Sequence, residues 1–135
     1  MRVSAKVDYA LRAMLELAAA GALVKGERLA TAQGIPQKFL EGILLDLRHA
    51  ELVTSRRGVE GGYALGRPAE EISLADVIRA VEGPIATVRG VRPDDVRYEG
   101  AAAALAGVWI DLRAAMRGVL EETTLADVVA RSRPT

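Results

Sequence analysis

Cysteine is absent from this 135-residue chain, which removes a disulfide framework, a thiolate metal site and a cysteine-based redox switch from consideration. A single histidine excludes a histidine cluster. Aromatic residues are few, at 4%, and only one is a tryptophan. No apolar run approaches the roughly 18 residues of a membrane-spanning helix, and the opening Met-Arg-Val-Ser lacks a signal-peptide core, so a soluble, cytoplasmic protein without a membrane partner is expected. The length suits one domain, or one domain plus an oligomerisation element, burying about two thirds of its unfolded surface.

The formal net charge is zero, but its distribution is not uniform. Residues 1–68 hold ten Lys and Arg against seven Asp and Glu, and residues 69–135 hold eight against eleven. Beyond a screening length of roughly 10 Å the acidic half has little influence on what docks against the basic one. A polyanion partner for the N-terminal half is consistent with that asymmetry.

The residues present are organised around residues 35–67. Pro36 suits a first helical position, and Phe39, Leu40, Ile43, Leu44 and Leu47 recur at the spacing of one buried helical face. Gln37, Lys38, Glu41, Gly42, Asp46 and Arg48 fall outside it. Leu52, Val53 and Thr54 then read as a strand that is broken by residues 55–58, and the chain returns through residues 61–65. Gly58, Gly61 and Gly62 in the tip permit positive-φ turns and close backbone approach. A helix feeding a hairpin with paired arginines and paired glycines is the order of a recognition helix followed by a wing.

Upstream, Ser4 caps a first helix with Val7, Ala10, Leu11, Met14, Leu15 and Ala18 inward, ending at Gly21. A short second helix near residues 27–33 turns Leu29 and Ala30 inward, and Gly34 makes the turn into residue 35. Two short helices across a glycine turn are the helix-turn-helix arrangement. Downstream, Ser73 with Asp76 caps a fourth helix whose apolar face is Leu74, Val77, Ile78 and Val81, packed on the winged core. Residues 84–100 show no sustained period and read as a loop. A long helix over about residues 101–122 follows, with Leu105, Val108, Trp109, Leu112, Ala115, Met116, Val119 and Leu120 on one side and Asp111, Arg113 and Arg117 on the other. Such a stripe outside an already formed core predicts pairing with a second copy; the alternative is packing on its own domain. Thr124 with Asp127 opens a last helix over residues 125–131, and residues 132–135 read as a frayed tail.

The fold class is therefore mostly α with a small β-hairpin wing. Residues 1–83 form a winged helix-turn-helix domain, 84–100 a sensor-type loop, and 101–135 a dimerisation helix with a C-terminal helix. Gln37, Lys38 and Glu41 stand where a helix entering a major groove exposes its first turn, and their side chains suit adenine, guanine and a cytosine amine respectively. A solvated helix face is the alternative, which the preceding turn and following basic hairpin disfavour. Arg56, Arg57 and Gly58 suit phosphate contact or a minor groove, although an exposed arginine pair also serves solubility. Lys6 and Tyr9 are either surface groups or phosphate contacts. Tyr63 is assigned an anchoring role, and His49 complements the helix dipole. Asp94, Asp95 and Glu99 form an acidic cluster suited to a hard cation, or simply a solvated acidic loop. No nucleophile, histidine pair or phosphate-binding glycine loop supports an enzyme.

These residues resemble the Rrf-type winged-helix transcriptional regulators, the group that includes IscR, NsrR and CymR. The matches are SAKVDYA at 4–10, Ile35 with Pro36, FLE at 39–41, Leu47 with Arg48, Leu52 with Val53, the wing run SRRGVEGGYAL at 55–65, and TLADV at 124–128. The resemblance implies a homodimer with crossing long helices on a palindromic double-stranded DNA operator. It implies Arg57 in the minor groove, Lys38 and Glu41 facing bases, and Lys6 and Tyr9 on phosphates. Gly42 lies where the family carries a longer contact residue. Many members hold an iron–sulfur cluster on three cysteines before the long helix, and the corresponding residues 86–99 have none, so no cofactor is expected. The resulting expectation is a cluster-free dimeric regulator, most simply a repressor, with a small-molecule effector near Tyr98 and Trp109. The alternatives are a protein-interaction module that keeps the fold without specific operator binding and, more remotely, a metal-dependent enzyme on the acidic loop.

Overall fold

The computed structural model describes residues 1–133. Six helices and one hairpin follow in order: α1 (Ala5–Ala20), α2 (Gly26–Gln33), α3 (Gln37–His49), β1 (Val53–Arg56), β2 (Gly62–Leu65), α4 (Leu74–Glu82), α5 (Leu105–Glu122) and α6 (Leu125–Ser132). Mostly helical architecture with a two-stranded antiparallel wing is what the residue patterns predict.

Local chemistry sets the helix ends. The Ser4 hydroxyl accepts from the Val7 amide at 3.1 Å, and Gly21 ends α1 at φ 62°. Ser73 with Asp76 and Thr124 with Asp127 both close reciprocal capping boxes. The end of α3 departs from the usual glycine: Glu51 takes the left-handed position at φ 63°, while the Glu51 amide donates to the Arg48 carbonyl and the Leu52 amide to that of Leu47. That is a Schellman geometry, and it aims the chain straight into β1.

The core gathers around α1, which packs against α2, α3, α4, α6 and β2. Met14, Leu17, Leu29, Leu40, Ile43, Leu44, Leu47, Val53, Ile72, Val77 and Leu125 are buried there together. The α1 face is centred one position away from the sequence expectation, since Ala13 and Leu17 are buried while Leu11, Leu15 and Ala18 are half-buried.

Several expectations are corrected. Phe39 is 46% exposed rather than part of the core, because it lies on the flank of α3 that turns towards Tyr9. Pro36 caps α3 instead of entering it. β1 runs through Arg56, which pairs with Gly62, so the break falls two residues later. α5 starts at Leu105, after a single 3-10 turn at Gly100–Ala102. α6 extends to Ser132, whose hydroxyl donates to the Val128 carbonyl at 2.8 Å, and of the expected frayed tail Pro134 and Thr135 lie outside the described residues. Arg113 does not face outward: it is 8% exposed, drawn in by Asp94.

α6 belongs to the winged core rather than to the long helix preceding it. The Leu74 amide donates to the Thr123 carbonyl and the Leu125 amide to that of Ile72, each at 2.9 Å, stitching the end of the chain to the start of α4. Leu125 is fully buried.

Candidate nucleic-acid interface

α1 positions the start of α3. Lys6 Nζ lies 2.9 Å from Asp46 Oδ2, tying the first turn of α1 to the last turn of α3. Tyr9 meets Phe39 edge-on, with ring centroids 5.4 Å apart and planes at 80°. Arg12 lies over the Tyr9 ring at 4.9 Å, donates to the Gln33 carbonyl at 2.7 Å and pairs with Asp8 at 3.0 Å. Tyr9 braces the first turn of α3 and Lys6 its C-terminal half. Held this way, Gln37, Lys38 and Glu41 are exposed on the first turns of α3. Gly42 follows them with open space around its α-carbon, so it contributes no side chain to that surface.

The wing is fixed by backbone contacts that need its glycines. Tyr63 and Val24 exchange both amide–carbonyl bonds at 2.8 Å, so the segment before α2 acts as a third partner to the hairpin. A β-carbon at Gly62 would lie 2.7 Å from the Val24 carbonyl oxygen, and one at Gly61 only 2.0 Å from that of Arg56. Gly58 takes φ 103°, and Lys25 Nζ donates to its carbonyl at 3.3 Å. At the base, Arg48 Nη1 donates to Ser55 Oγ at 3.2 Å, linking α3 to β1. Arg56 and Arg57 emerge exposed from this clamped tip, and neither has a carboxylate within ion-pair distance among the described residues. Two unneutralised guanidiniums on a rigid hairpin, beside a helix with polar first turns, can bind phosphate oxygens and reach a groove.

The 84–100 segment carries no comparable chemistry for a metal. Both oxygens of Asp94 are taken by Arg113, at 2.9 Å each, and Arg92 approaches one of them at 3.4 Å. The hydrogen bond from Arg113, and then the nearby Arg113, Arg92 and Arg117 charges, hold the Asp94 carboxyl below the usual carboxylate value. Asp94, one of the three acidic residues read as a cluster, is therefore committed to an ion pair, and among the described residues no three His, Cys, Asp or Glu side chains converge on a metal-sized site. Trp109 Nε1 donates to the Tyr98 hydroxyl at 3.0 Å, which brings together the two residues expected near an effector. Sequence reasoning missed Val24 and Lys25 as supports of the wing, since their partners Tyr63 and Gly58 lie far along the chain, and Arg48, whose partner Ser55 is near in sequence but on a different element.

Fold and surface together define the winged helix-turn-helix class of DNA-binding proteins. The Rrf2 family, described as iron-dependent transcriptional regulators, matches residues 3–131. The Mycobacterium tuberculosis (strain H37Rv) protein Rv1287, named as an HTH-type transcriptional regulator, is 56% identical over 99% of this chain and 84% of its own. CymR of Bacillus subtilis is 34% identical over 96% of this chain and 91% of its own. The solved structure of CymR, titled the global cysteine regulator of that organism, superposes with a TM-score of 0.84 at 33% identity, covering 98% of this chain and 99% of that one. An IscR structure from T. potens gives 0.81 at 30% identity, over 98% and 89%.

The chain belongs to the Rrf2 family and is a DNA-binding transcriptional regulator, not an enzyme. The family's iron does not fit its residues: the chain offers no thiolate, and the carboxylate best placed in the 84–100 segment is committed to Arg113. Among the described residues no helix is long and apolar enough to cross a membrane.

Proposed function

We propose that the protein is a cytoplasmic homodimeric repressor that binds a palindromic operator, with Arg57 and Arg56 at the minor groove and Gln37, Lys38 and Glu41 against base edges. The observation that carries this reading is the exposed, unneutralised arginine pair on a hairpin locked to the body through Val24 and Tyr63. Lys6 and Tyr9 add phosphate contacts from the end of α1, and Gly58 lets the tip backbone lie close to the DNA. The dimer is supported by α5, where Val108 and Val119 are 54% and 65% exposed and Leu105 and Ile110 also face solvent. Leu112, Met116 and Trp109 are only half-buried, so the stripe lacks a cover within one chain. An effector seated between α5 and the 84–100 segment, beside Trp109 and Tyr98, regulates the operator affinity.

The test is an operator titration across salt concentrations, on DNA fragments selected with the purified protein. Arg57→Ala weakens binding by roughly tenfold and reduces the salt slope by about one. An unchanged slope and affinity would sink the wing assignment, and uniformly weak, sequence-independent binding by the intact protein would favour an interaction module instead.

A further inference from the structure

The cleft bounded by α4, the 84–100 segment and α5 holds an excess of positive charge away from the helix α3 and wing surface. It encloses about 380 Å³ and is lined by Arg79, Arg92, Arg113 and Arg117, with Ala86 and Pro93 on one wall. Two carboxylates answer these four guanidiniums. Asp94 gives both oxygens to Arg113, and Glu121 pairs with Arg79. Arg92 reaches only the edge of Asp94 at 3.4 Å and is 61% exposed. Arg117 has no ion-pair partner among the described residues, and its Nε is buried without a hydrogen-bond partner.

Arg117 is half-buried, lines the cleft and pairs with no carboxylate among the described residues, and a guanidinium in that setting is completed by a charged acceptor. Asp94 is already shared between Arg113 and Arg92. The planar fork of an arginine matches the two oxygens of a carboxylate or phosphate, which makes an oxyanion the group that completes this cleft. A second cavity of about 210 Å³ adjoins it across the same Ala86 and Pro93 and is apolar, with Trp109, Leu112 and Val88 in its lining. A charged compartment beside an apolar one selects a small molecule with an anionic head and an apolar body.

We propose that this cleft binds a small carboxylate- or phosphate-bearing metabolite, its oxyanion held by Arg117 and Arg92 and its apolar part lying towards Trp109. The inference rests on the effector reading above and names the chemical class of that effector. It also gives the long helix a second task. α4, which supplies Arg79, packs against both α1 and α3, so the ligand sits one helix away from the base-reading surface.

The test uses the full-length protein without DNA, titrated with sodium phosphate and sodium acetate against sodium chloride at matched ionic strength. Thermal unfolding and Trp109 fluorescence are followed. Saturable stabilisation by phosphate or acetate, reaching about 4 °C at ten times the dissociation constant, with a change in Trp109 emission, is expected. Arg117→Met should weaken that binding at least tenfold, with Arg117→Lys between the two. A response no greater than that to chloride, or an Arg117→Met protein that titrates like the wild type, overturns the site. Loss of the response in Arg57→Ala also overturns it, because the anion would then sit on the DNA-binding surface. Should Arg117→Met fail to fold, Arg92→Gln at the exposed rim must show the weakening, and an unchanged titration there counts against the site. Repeating the operator titration with phosphate present separates the two readings. Binding in the cleft with unaltered operator affinity keeps the oxyanion site and removes the effector role, whereas absence of binding removes the site and leaves operator recognition untouched.

Discussion

The winged half and the long-helix half of this molecule are built on opposite terms. From α1 to α4, with the returning α6, apolar side chains close over one another and polar groups are left outside. In α5 the arrangement is reversed: its one buried residue is Arg113, while Val108 and Val119 point into solvent. Polar contacts tie α5 to the rest of its own chain, through Arg113 with Asp94, Arg79 with Glu121, and Trp109 with Tyr98. The first half is shaped to be complete in one chain. The second keeps its apolar surface for something else and spends its charges on the cleft behind.

That contrast is broken most directly in the core. Leu44→Ala removes a side chain that is 2% exposed and should cost about 2 to 5 kcal/mol in denaturant unfolding. A loss below about 1 kcal/mol would mean that the winged half is not the stable unit described here. Next in size is Val108→Asp, which places a charge on the α5 stripe. Sedimentation equilibrium should show dimer dissociation strengthened roughly a hundredfold, while the unfolding of the winged half changes by no more than about 0.5 kcal/mol. A dimer of unaltered strength would show that another surface joins the chains. The wing variant Arg57→Ala follows, with its roughly tenfold loss of operator affinity and unchanged unfolding.

The smallest effect concerns acid. Because Arg113 holds the Asp94 carboxyl below its ordinary value of 3.8, the stabilisation from that pair is complete above this value. It fades as pH falls through the lower value of the folded state. Asp94→Asn should therefore lower the melting temperature at neutral pH and flatten its decline below about pH 4. Some decline persists, because Asp127 is also held low by the Thr124 amide and hydroxyl in its capping box. Parallel melting curves for variant and wild type across that range would remove Asp94 from any role in holding α5.

Much of the architecture is legible from residue order because its determinants are local. Ser4, Ser73 and Thr124 announce helix starts through short-range hydrogen bonds, and Gly21 and Gly34 announce ends through their positive φ. The wing run at 55–65 signals the hairpin and its exposed arginines in the same way. Phe39 shows where this stops. Its spacing puts it on the buried face of α3, but one helical position separates the centre of that face from its edge, and Tyr9 draws the ring outward. Glu51 was illegible for another reason, since a left-handed helix end is normally marked by glycine or asparagine.

The sequence by itself determined the elements, the caps, the turn before α3 and the basic hairpin, all of which follow from contacts within a few residues. The absence of cysteine likewise decided, without any structure, that the family's thiolate chemistry is missing. Only the tertiary structure decided that Val24 clamps the wing, that α6 closes the winged core, and that Arg113 is buried against Asp94 while Arg117 has no ion-pair partner among the described residues. Each of these joins groups 19 or more residues apart or depends on which neighbour reaches a charge first. Spacing along the chain records neither, because the competition between partners is settled only when the helices pack.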